Sequence, residues 1–91
     1  MAMDISETYV SFADVLDMYD TAEYFVPAFR DFYSLIANYP FRTPFTQLAK
    51  LKSWNEKLLS IKAVDSLPEE ERKQLKFDAK CAYDDFRRLN E

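Results

Sequence analysis

Apolar residues recur every three or four positions along most of this chain, and the first run is the clearest. At about 100° per residue, Ile5, Tyr9, Phe12, Ala13, Leu16 and Tyr19 fall within one arc of about 120°, the width of a helix laid on a core. Asp4 followed by Glu7 has the spacing of a capping box, in which each side chain satisfies a free amide of the first turn. A helix is therefore predicted from Ile5 to Tyr19. Its opposite side carries Glu7, Asp14 and Asp17, with Val10, Val15 and Met18 among them.

Asp20 and Thr21 close that helix. Pro27 lacks an amide hydrogen and clashes with the carbonyl four residues back, which predicts a break near Val26 and a second helix from Pro27 to Asn38. Phe29, Phe32, Tyr33, Leu35, Ile36 and Tyr39 share a broad apolar stripe there, leaving Arg30, Asp31, Ser34 and Asn38 as a narrow polar strip. Thr43 and Pro44 then read as N-cap and first helical position of a helix from Pro44 to Lys62. This helix gathers Leu48, Leu51, Trp54, Leu58 and Leu59 on one face and sets Lys50, Ser53 and Lys57 on the other. Ser66 and Glu69, with Pro68 between them, form a second capping box and open a last helix from Leu67 to Leu89. In it Leu75, Ala79, Ala82, Phe86 and Leu89 recur at helical spacing, and Glu69 to Lys73 and Asp84 to Arg88 are i,i+4 pairs.

Four helices on short connections imply a small antiparallel all-α bundle, a single helical domain over residues 1–91, without β-sheet. Composition sharpens this expectation. The chain has no glycine, so two-residue hairpin turns have no favourable residue. Eleven of the fifteen aromatics lie in residues 1 to 45, which predicts large rings from the first half packed on leucines and alanines from the second. Phe32 and Leu58 are expected in the shared core. Asn55 falls inside the leucine arc of the third helix, where it reads as an edge or bundle-specifying residue. Met1-Ala2 reads as an addition before a natural start at Met3.

Candidate chemistry is sparse. Histidine is absent, and Asp14, Asp17 and Asp20 step around a helix surface instead of converging, so no catalytic or metal cluster is expected. Cys81 has no base to activate it and reads as a packing residue, and a lone cysteine fits a reducing cytoplasm. Nothing matches a calcium loop, a zinc pair or a phosphate-cradling loop, so no cofactor is expected. No run is long enough to span a membrane.

Charge changes the picture more. Residues 1 to 39 carry seven acids and one base, residues 40 to 62 one acid and five bases, and the remainder eight acids and six bases. The bland reading is an attraction between the acidic first helix and the basic third. The sharper one is an interface: Glu7, Val10, Asp14, Asp17 and Met18 combine carboxylates with apolar side chains off the core arc and would meet a basic protein surface. The acidic excess argues against nucleic acid. The chain thus reads as a cytoplasmic, non-enzymatic binding protein that inhibits or adapts a larger enzyme, similar in size and charge to phage or plasmid inhibitors and immunity proteins. The alternative is a structural subunit, either a self-associating homo-oligomer or a helical component of a nucleoprotein assembly using Lys50, Lys52 and Lys57.

Overall fold

The computed structural model describes residues 5–19, 21–39 and 43–90, with the side chains of 89 and 90 outside that description. The Asp4 cap, Asp20, the Pro40-Phe41-Arg42 stretch and the Leu89 side chain lie outside the described residues. Among the described residues the fold has four helices: α1 (Ile5–Met18), α2 (Ala22–Ala37), α3 (Phe45–Leu59) and α4 (Glu69–Asn90). They form a compact all-α bundle in which α1 and α3 each pack on both α2 and α4.

The core follows the aromatic bias of the sequence. Phe12, Phe25, Phe29 and Phe32 are fully buried and face Leu51, Leu58, Leu75, Ala79 and Ala82. Phe12 meets Phe29 edge-on at 5.5 Å and stacks on Phe32 at 6.1 Å. Such ring pairs add about 0.5–1.5 kcal/mol beyond the area they bury. Phe32 and Leu58 are both core residues, as their stripes require.

The predicted break at Pro27 does not occur: α2 runs through it from Ala22. Two features allow this. Pro27 and Glu23 are four apart and both exposed, so the carbonyl that loses its partner lies on the solvent side of the helix. The start of α2 is also held from outside, because the Ala22 and Glu23 amides donate to the carbonyls of Asp65 (2.8 Å) and Ala63 (3.0 Å). These long-range bonds satisfy donors that a helix start otherwise leaves free. They come with an isolated antiparallel bridge between Thr21 and Ser66.

That bridge also corrects the last helix. Ser66 is engaged with Thr21 and does not cap; α4 begins at Glu69, with the Arg72 amide donating to the Pro68 carbonyl at 2.9 Å. At α3 the cap falls on Pro44, not Thr43, and Thr43 is buried. The third helix ends at Leu59, short of Lys62. On α4 Glu69 pairs with Lys73 (3.5 Å), whereas Asp84 pairs with Lys80 (3.6 Å) and Arg88 with Asp85 (3.4 Å).

Candidate partner-binding surfaces

The expected interface on α1 divides in two. Glu7, Val10, Asp14 and Met18 lie along its outer side and are exposed, with Met18 71% accessible. Asp17 is rotated toward α4, where both its carboxylate oxygens accept from Lys76 Nζ at 2.8 Å. Val15, grouped with the outer residues by its position in the sequence, is half-buried against the core. Beyond Met18, Tyr19 and Tyr24 stack at 4.5 Å across the turn into α2.

Two ion pairs described for acidic α1 and basic α3 run to α4: Asp17 to Lys76, and Lys57 to Glu71. Lys57 also sits over the Trp54 ring, 5.1 Å from its centroid. The lysines of α3 do not all share a face: Lys50 and Lys57, seven residues apart, lie within about 20° of each other, whereas Lys52 points about 160° away from Lys50 around the helix. The lysine surface of the alternative reading is thereby split.

A second surface lies between α2 and α3. The leucine face predicted for α3 divides: Leu51 and Leu58 are buried, while Leu59 is 60% exposed and Leu48 half-buried. Phe45, Leu48, Ala49, Lys52, Glu56 and Leu59 fall in a different arc of about 100° from the buried pair. Phe45 is 82% exposed, the most accessible large apolar side chain among the described residues. With Tyr33 and Ala37 of α2, much of this arc borders an open, mainly apolar groove of about 610 Å³. A smaller depression of about 230 Å³, bordered by Val26, Arg30, Leu58 and Leu59, continues the seam between the two helices. Sequence reasoning merged two apolar arcs on α3 into one; angular separation of Leu51 and Leu58 from Phe45 was the signal available.

Chemistry elsewhere is structural. Buried Asp78 on α4 accepts from Trp54 Nε1 (2.8 Å) and Gln74 Nε2 (2.9 Å), tying α3 to α4. Tyr9 stacks on Tyr83 at 4.4 Å; burial raises its phenol above the usual value, opposed by the positive charge of Lys80 and reinforced by the nearby acids Asp84 and Asp17. Among the described residues no group of histidine, cysteine and acidic side chains is placed to hold a metal ion. Cys81 is half-buried, and Asn55 is too. No helix among the described residues is long and apolar enough to cross a membrane.

Comparisons with known proteins give the lineage of the chain. The profile of the VPS28 protein family matches residues 1–89. The chain belongs to the VPS28 family. It is 33% identical over 91 residues to the vacuolar protein sorting-associated protein 28 homolog of Caenorhabditis elegans, covering 96% of this chain and 43% of that protein. The Caenorhabditis briggsae homolog shows the same identity and coverage. The chain thus spans less than half the length of these VPS28 relatives. No solved structure matches it.

Membership in the VPS28 family overturns the reading as an inhibitor or immunity protein of phage, plasmid or other mobile-element type. That reading rested on shortness, acidity and the lack of a cofactor, which many unrelated helical chains share. Of the two sequence-based alternatives, the structural subunit is the one the VPS28 relationship favours.

Proposed function

We propose that the chain is a helical module of an ESCRT-I-type sorting complex, acting in the cytosol at endosomal membranes by holding other protein chains, with no catalysis of its own. The observation that carries this reading is the family match across residues 1–89. The bundle adds physical support: its core is closed, yet Phe45, Leu59, Met18 and Phe77 remain at least 60% exposed. Large accessible apolar side chains rimmed by charge are the ordinary signature of protein contact.

Within the same reading, the outer side of α1 is a contact for a basic protein surface, formed by Glu7, Val10, Asp14 and Met18 with Asp17 at its α4 edge. Complementary charge of this kind accelerates encounter more than it deepens affinity. Affinity capture of the tagged chain from its native cells, with quantitative mass spectrometry, tests the subunit reading. Near-equal recovery of other sorting-complex subunits is the expected result. Recovery of the chain alone, or with one enzyme only, would overturn it.

A further inference from the structure

We infer that the face shared by α1 and α2 docks a basic segment of another protein, and that the stacked pair Tyr19 and Tyr24 receives an arginine of that segment. This rests on the reading of the outer side of α1 as a contact for a basic protein surface. It adds the second wall of that contact and the side chain selected there.

Helical geometry joins the two walls. Glu7, Asp14 and Met18 lie within about 40° of one another around α1, and Tyr24 and Asp31 within about 20° around α2. Tyr24 is turned toward the end of α1, because its ring stacks on Tyr19 at 4.5 Å, and Asp31, two turns on, continues that side. Tyr33 and Ala37 border the groove against α3 and so mark the other side of α2. Packed helix axes lie about 8–10 Å apart, so the two strips make one face, about 16 Å long from Glu7 to Met18.

The charge of this face has one sign. Asp14 and Asp31 are exposed, and neither has an ion-pair partner among the described residues. Glu7 adds a carboxylate to the same strip, and no position of α1 is basic. Residues 1–41 contain a single base, Arg30. It lies about 100° around α2 from Asp31 and borders the depression against α3, together with Glu23. On the α4 side of α1, Lys76 is taken by Asp17 and Lys80 pairs with Asp84.

Aromatic and apolar surface narrows the occupant further. Exposed Val10 and Met18 offer apolar anchors among the carboxylates. Tyr19 and Tyr24 are 42% and 49% exposed, so the stack leaves ring surface open. Such rings favour arginine over lysine, because a planar guanidinium stacks on an aromatic face and still directs N–H groups to a neighbouring carboxylate. The same field repels phosphates and anionic membrane, and the net charge of −4 works against a second copy of this chain.

The test titrates the ¹⁵N-labelled chain with three designed helical peptides that share two leucines and differ only at four positions, occupied by arginine, lysine or glutamine. Amide shifts should cluster at Val10, Asp14, Met18, Tyr24 and Asp31. The arginine peptide should bind about threefold tighter than the lysine peptide. The glutamine peptide should bind about tenfold more weakly than either, by a margin that shrinks with added salt. Tyr24→Leu should bring the arginine peptide to the affinity of the lysine peptide and leave the latter unchanged. Asp14→Asn combined with Asp31→Asn should weaken both basic peptides about tenfold with an unchanged circular dichroism spectrum, since both side chains are exposed. An arginine preference that survives Tyr24→Leu, or shifts centred on Phe45 and Lys52, would overturn the proposal. Equal affinities for the arginine and lysine peptides would also overturn it, while leaving intact the reading of α1 as a contact for a basic surface. A glutamine peptide that binds as well as the basic ones would overturn both.

Discussion

The link between Trp54 and Asp78 offers the sharpest test of how α3 is held. Asp78 is 7% exposed and is served by the Trp54 indole at 2.8 Å and the Gln74 amide at 2.9 Å. Trp54→Phe keeps most of the ring and removes the indole donor, so it should lose the net value of a bond to a charged acceptor, about 1.5–3 kcal/mol. Asp78→Ala removes the acceptor from the other side. If the bond is what couples them, the double variant should be less unstable than the sum of the singles by about 1–2 kcal/mol. The effect is large for a chain of this size, whose total stability at about 0.05–0.15 kcal/mol per residue is only about 5–14 kcal/mol. Urea denaturation of the four proteins measures it, with an unchanged slope confirming that the same surface unfolds. Trp54→Phe combined with Met18→Ala on the outer side of α1 serves as the additive control. Additivity of the Trp54 and Asp78 changes within about 0.3 kcal/mol would refute the reasoning.

Phe32→Ala, at a fully buried ring, should cost about 3–5 kcal/mol, read as a lower urea midpoint. Charge reversal on α1 should separate two carboxylates: Asp17→Lys loses its contact with Lys76 and lowers thermal stability slightly, whereas Asp14→Lys leaves the melting temperature unchanged. The Asp17–Lys76 coupling itself should be below about 1 kcal/mol and fade with salt, since both side chains are substantially exposed. The Tyr9 phenol, held above its usual value of 10.0 chiefly by burial, makes the folded state bind its proton more tightly than the unfolded state. Stability from this group is therefore complete below the unfolded value and declines as pH rises through the folded one; tyrosinate absorbance that titrates Tyr9 at or below the ordinary value would contradict this.

The fold was largely legible because three of the four helices are written as strong amphipathic repeats with an aromatic first half. The errors at the starts of α2 and α4 share one cause, which is that distant backbone groups decide those helix ends. Pro27 breaks a helix whose first turn must satisfy itself, but the carbonyls of Ala63 and Asp65 hold the start of α2 five residues earlier. Ser66 has the spacing of a cap, yet the bridge to Thr21 takes it. On α1 periodicity put Glu7, Val10, Asp14 and Met18 on the outer side, where they are exposed, but it set half-buried Val15 among them, and Lys76 on a helix far along the chain claims Asp17. On α3 the buried leucines and the groove residues alternate at similar spacing, so apolarity alone did not separate core from surface. Lineage was not legible, because length, charge and helical periodicity, the signals read from the chain, are shared by many unrelated helical proteins.

The central claim is that this bundle is a protein-binding module of a sorting complex, and Phe45 is its most accessible large apolar side chain among the described residues. A benzophenone amino acid substituted at Phe45, photoactivated in the native cell, tests it most directly, with the same group at exposed Glu70 on α4 as the control. The account predicts a covalent adduct at position 45 to another subunit or partner of that complex, and little at position 70. Equal, scattered adducts at the two positions, or none at 45, would contradict it.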